Sequence, residues 1–138
     1  MQLTMKIFKL ISIVSYMMIC SIDSKGFPIF VLLLIYLVDF FQSFTYNNLE
    51  ISWNSFITCI LTIGTLSVFL KCRKYKDKYL LIFCFISLLL STIIYTGILN
   101  PSNYYYQNQS LKWFAIPFFV FVLSSLSLII LNFKRVKN

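Results

Sequence analysis

Five apolar runs, separated by short polar stretches, organise the chain: 10–22, 28–44, 53–70, 79–99 and 113–131. Inside them polar positions recur three and four residues apart, the period of a helix face rather than of a strand. Run three carries Ser55, Thr58, Thr62 and Thr65, and run four carries Cys84, Ser87 and Ser91. Ser12, Ser15 and Tyr16 mark run one, and Ser124 and Ser127 mark run five. A helix that crosses the hydrocarbon of a bilayer needs roughly 17–25 apolar residues at about 1.5 Å each. Runs two to five meet that length. Run one meets it only as a helix from about 7 to 22, with the Lys9 ammonium reaching back to the interface. The pattern therefore predicts an all-α, polytopic transmembrane helical bundle. Four spans are expected near 28–44, 53–70, 79–99 and 113–131. A shorter N-terminal apolar helix, near 7–22, stands as an open fifth span.

The connections are brief. Gly26 lies in the first connector, and Pro28 after it suits the first turn of a helix. Asn100-Pro101 favours a turn. Trp53 and Trp113 open runs three and five, as aromatic residues at a membrane interface do. Lys6 and Lys9 before an apolar stretch resemble the start of a signal peptide. The following CSID lacks a small-x-small cleavage site, so an uncleaved helix is expected. Nothing divides the chain, and 1–138 reads as a single integral membrane domain.

Composition agrees with that solvent. The chain is 59% hydrophobic and 12% charged, whereas a soluble domain carries about 25% charged residues. A chain of 138 residues buries only about two-thirds of its surface in water, too little to hide this much apolar area. Alanine occurs once, at Ala115, among abundant Ile, Phe, Lys, Asn and Tyr. That usage follows AT-rich coding and points to a bacterial inner (cytoplasmic) membrane.

The net charge of +8 is distributed along the chain rather than on one face. Lys71, Arg73, Lys74, Lys76 and Lys78 lie together between runs three and four, and Lys134, Arg135 and Lys137 follow run five. Basic residues flanking spans mark the cytoplasmic side. The 71–78 loop is thus expected to be a cytoplasmic anchor, with the C-terminus on the same side. Eight residues pinned between two spans offer little footprint for nucleic acid. Attraction to anionic lipid, about 1 kcal/mol per basic residue near the surface, accounts for them. Run one resists the scheme: five crossings place Lys6 and Lys9 outside, against the charge rule.

Candidate chemistry is sparse. Asp39 is the only acid within an apolar run, with Gln42 nearby. An ionisable side chain in a membrane helix is costly and marks a functional site by default. Asp39, Gln42, Thr58, Thr62, Ser87 and Ser91 form the candidate intramembrane polar site. They read either as hydrogen-bonding contacts between close helices or as the lining of a pathway. The chain has no histidine, no CxxC pair and no Gly-rich phosphate loop, so no catalytic residue, metal ligand or cofactor is expected. Cys20, Cys59, Cys72 and Cys84 read as small buried hydrophobes. The expected partners are the lipid bilayer and another membrane protein or a second copy. The expected role is non-catalytic: an accessory, interaction or self-protection (immunity-like) protein. The alternative is a small transporter or channel subunit built on Asp39 and the hydroxyl faces.

Overall fold

The computed structural model describes residues 2–22, 24–46, 53–72, 77–101 and 107–134. Their regular structure consists of five helices: α1 (Gln2–Met17), α2 (Ile29–Thr45), α3 (Trp53–Lys71), α4 (Lys78–Thr96) and α5 (Gln107–Lys134). One isolated antiparallel bridge, Cys20 with Pro28, is the single β feature among the described residues. Trp53–Lys71, Lys78–Thr96 and Leu111–Lys134 are long and apolar enough to cross a membrane. The helix Ile29–Thr45 is apolar but shorter, at 17 residues. It is about 26 Å long at the rise of an α-helix, against about 30 Å of hydrocarbon. Of the four spans expected, three thus have the full length, and the one near 28–44 falls short of it.

The N-terminal helix is displaced from the expected 7–22 and occupies Gln2–Met17. It starts early because Lys9 finds a partner inside the bundle and has no need to escape it. It stops early because the next backbone groups pair elsewhere. Ile29 N–H donates to the Ile19 carbonyl at 2.9 Å, and Ser21 N–H donates to the Phe27 carbonyl at 2.9 Å. Gly26, at φ 58°, supplies the left-handed turn that folds α2 back on this segment. Ile22 N–H donates to the Thr96 carbonyl at 3.1 Å and satisfies an otherwise orphaned group at the end of α4.

Helix α1 lies antiparallel against α5. Ser12 faces Ser124, and the Tyr16 and Phe121 rings sit 5.4 Å apart. Helices α3 and α4 form a second antiparallel pair. The main core gathers Tyr16, Ile29, Leu33, Cys59, Phe85, Leu88, Tyr95 and Phe121. A smaller cluster of Phe69, Cys72, Leu81, Cys84 and Leu128 closes the end where α3 finishes and α4 starts. There the Lys78 ammonium stands 5.0 Å from the Tyr79 ring centre and 5.1 Å from that of Phe133, tying α4 to the end of α5. Outward faces are apolar: Leu61, Phe83, Leu90, Ile94, Ile116, Phe119 and Leu123 are all exposed. Pro117 interrupts α5 and withholds one N–H from its ladder.

Helix α4 ends on Gly97 at φ 62°, a left-handed cap. A Cβ there costs about 1–2 kcal/mol. Gly64, inside α3, has open space where a Cβ would stand, and alanine there removes a backbone-entropy cost of about 0.5–1 kcal/mol. Gly97→Ala is therefore expected to lower the melting temperature of the detergent-solubilised protein, and Gly64→Ala to leave it unchanged or raise it. The reverse order in a fluorescence melt contradicts this account of the two glycines.

Candidate functional site

Four of the six candidate polar residues come together. Thr58, Thr62 and Thr65 of α3 and Ser87, Ser91 and Tyr95 of α4 line a groove of about 180 Å³, with Leu61, Leu90 and Ile94 at its margins. Asp39 and Gln42 do not join them; both are exposed on α2. Of the basic anchor, Lys71 is exposed and Lys78 half-buried. Arg73, Lys74 and Lys76 lie outside the described residues.

The hydroxyls have a defined direction, because each carries a single proton. Thr62 lies 2.7 Å from the Thr58 carbonyl and donates to it, so the Tyr95 hydroxyl, 3.0 Å from Thr62 Oγ1, is the donor of that pair. Ser91 donates to the Leu88 carbonyl at 2.8 Å, and Tyr16, 2.6 Å from Ser91 Oγ, donates to Ser91. The third network follows the same logic. Ser125 donates to Ser12 at 3.2 Å, Ser12 to Ser124 at 2.8 Å, and Ser124 to the Phe121 carbonyl at 3.0 Å. Each relay ends on a helix carbonyl. The hydroxyl faces therefore link α1 to α4 and α5, and α3 to α4, rather than leaving a row of free donors.

Lys9 is the residue the sequence pattern misplaces. Its side chain is only 7% exposed, and its ammonium donates to the Cys72 carbonyl and, at 3.4 Å, to that of Leu70. These carbonyls belong to the C-terminal turn of α3, the negative end of the helix dipole. Oriented backbone oxygens thus help to hold the cation. The signal was present in the sequence, as a lysine within an apolar stretch, but its partner lies 63 positions away. Burial pushes the neighbouring Cys72 thiol above its ordinary value, with the Lys9 charge opposing and Asp77 reinforcing that rise. Cys72 is buried, and a buried thiol with little thiolate is a poor nucleophile. Asn132 is buried near the end of α5, and its Oδ1 accepts no hydrogen bond among the described residues. No group of three or more His, Cys, Asp or Glu assembles among those residues.

The chain matches no protein-family model, and neither curated proteins nor solved structures give a match.

Lys9→Met removes the donor and leaves buried carbonyls without a partner, at about 1–3 kcal/mol. It is expected to lower the melting temperature in detergent clearly, whereas Lys6→Met, at an exposed position, stays within about 0.5 kcal/mol. Equal melting of the two variants would show that Lys9 is not a structural contact.

Proposed function

We propose that this chain is a small multi-pass protein of the bacterial cytoplasmic membrane, with its C-terminus in the cytoplasm, that acts without catalysis. It works through helix contacts within the bilayer, with another membrane protein or a second copy, in an accessory or self-protection role. The observation that supports this reading is the closure of the hydroxyl networks. Tyr16, Tyr95, Ser12 and Ser125 each donate to another side chain of the bundle, and each relay ends on a helix carbonyl. Such an arrangement holds helices together; a conducting path needs polar groups left free for the ion. The exposed apolar faces of α3, α4 and α5 suit lipid or an apolar partner helix. The groove between α3 and α4 is the surface feature such a partner would use.

Two experiments test the reading. Purified protein reconstituted into liposomes is expected to give no ion flux above that of empty vesicles, and Asp39→Asn is expected to retain cellular function at wild-type expression. Ser87→Leu, which fills the groove, is expected to weaken recovery of the partner or of the oligomer by cross-linking, while the exposed Phe83→Leu does not. Flux that Asp39→Asn abolishes without loss of thermal stability would replace this reading with a transport function.

A further inference from the structure

The contacts between helix ends fix which ends share a side. Lys9 reaches the carbonyls of Leu70 and Cys72, so the first half of α1 lies beside the end of α3, where the basic loop begins. Ser12 and Tyr16 then meet Ser124 and Phe121, and Ile22 N–H bonds to Thr96 at the far end of α4. Helix α1 therefore runs the length of the bundle, from the basic end to the far end. Its 16 residues measure about 24 Å, and residues 18–22 extend that reach.

Helix α2 starts at the far end and stays there. Its first residue, Ile29, bonds to Ile19. The Leu33 carbonyl accepts the Cys59 thiol at 3.2 Å, and the Tyr36 ring lies 5.5 Å from that of Tyr95. Phe40 stacks on Phe56 at 4.0 Å and meets Trp53, the first residue of α3, at 5.8 Å. Apart from Ile19, just after α1, these partners belong to the first half of α3 or the last turn of α4. None lies near Cys72 or Lys78.

We propose that α2 does not cross the membrane but lies obliquely in its outer leaflet, its partner being the phospholipid of that leaflet. This rests on the membrane reading above. The chain then crosses four times, through α1, α3, α4 and α5, with both termini in the cytoplasm. The faces of α2 fit this position. Ile29, Leu33 and Phe40 pack on the bundle. Phe30, Leu34, Val38 and Phe41 form one exposed flank, placed for acyl chains. Asp39 and Gln42, also exposed, lie on the opposite flank by helical spacing, in the C-terminal half of α2 beyond Val31 and Ile35, placed for headgroups and water. Exposed Tyr46, Trp53 and Trp113 occupy the same end, as an aromatic belt does. The charges segregate accordingly. Of twelve basic residues only Lys25 and Lys112 fall outside by chain position, and of four acids only Asp77 falls inside. The conflict that Lys6 and Lys9 pose for a five-span chain disappears.

The test uses single cysteines in a Cys20→Ser chain, whose other cysteines are buried. Leu3→Cys, Ser24→Cys and Asp39→Cys stand at exposed positions. Each is treated with an impermeant maleimide in intact cells and after permeabilisation. Ser24→Cys and Asp39→Cys are expected to react equally before and after, and Leu3→Cys only after. Reaction of Leu3→Cys from outside, with Ser24→Cys shielded, means that α1 and α2 both cross, and overturns the proposal. An Asp39→Cys thiol shielded in both states places α2 in the hydrocarbon and overturns it equally. If Asp39→Cys fails to accumulate, Gln42→Cys takes its place. An N-terminal fluorescent protein that matures only in the cytoplasm gives an independent reading: fluorescence supports the proposal, and a dark, membrane-inserted fusion overturns it. Release of the wild-type chain from membranes by alkaline carbonate would instead defeat the membrane reading itself.

Discussion

A lysine ammonium inside an apolar bundle is tolerable only where something replaces the water it has lost. The effective penalty for burying an ion without partners is several kcal/mol, comparable to the whole stability of a small domain. Lys9 meets the requirement with the carbonyls that close α3, groups that every helix end leaves unsatisfied. One contact thus serves two groups, a cation withdrawn from water and a helix end without donors. It also sets the geometry: with Lys9 on the end of α3, the first half of α1 lies beside the close of α3.

The same constraint recurs wherever backbone is interrupted. Hydrocarbon offers no hydrogen bonds, so each free N–H or carbonyl in it needs a protein partner. Between α1 and α2, Ile19, Ser21, Ile22 and Ile29 each contribute a backbone group to a bond within the fold. At the end of α4, Gly97 turns the chain left-handed while Thr96 receives Ile22. The hydroxyl relays extend this logic to side chains. Two tyrosines and a serine triplet donate along short chains that end on helix carbonyls. Their low-dielectric surroundings strengthen bonds that are made and penalise any left unmade. These relays specify which helix faces meet, a task that apolar side chains in lipid perform weakly because lipid tails resemble them.

Much of this was legible in the sequence. The helical class, the positions of α3, α4 and α5 and the hydroxyl faces follow from residue spacing, because helical period and bilayer thickness are local constraints that a single segment must meet by itself. Thr58, Thr62, Ser87 and Ser91 stand out by helical spacing within each run, but that they line one groove, without Asp39 and Gln42, depends on how α3 packs on α4. Other features were not legible, because each depends on a partner distant in the chain. The sequence places Asp39 inside an apolar run, but its exposure depends on which face of α2 the bundle covers. Lys9 reads as a charge that must escape until α3 is set beside it. The length of run two suggests a span, and nothing in it foretells the contacts of Ile29 with Ile19 and of Phe40 with Trp53 and Phe56. Periodicity and length determined the elements. Only tertiary structure decided which of their ends and faces meet, because an orphaned carbonyl or a buried ammonium is satisfied by whichever group the fold brings to it.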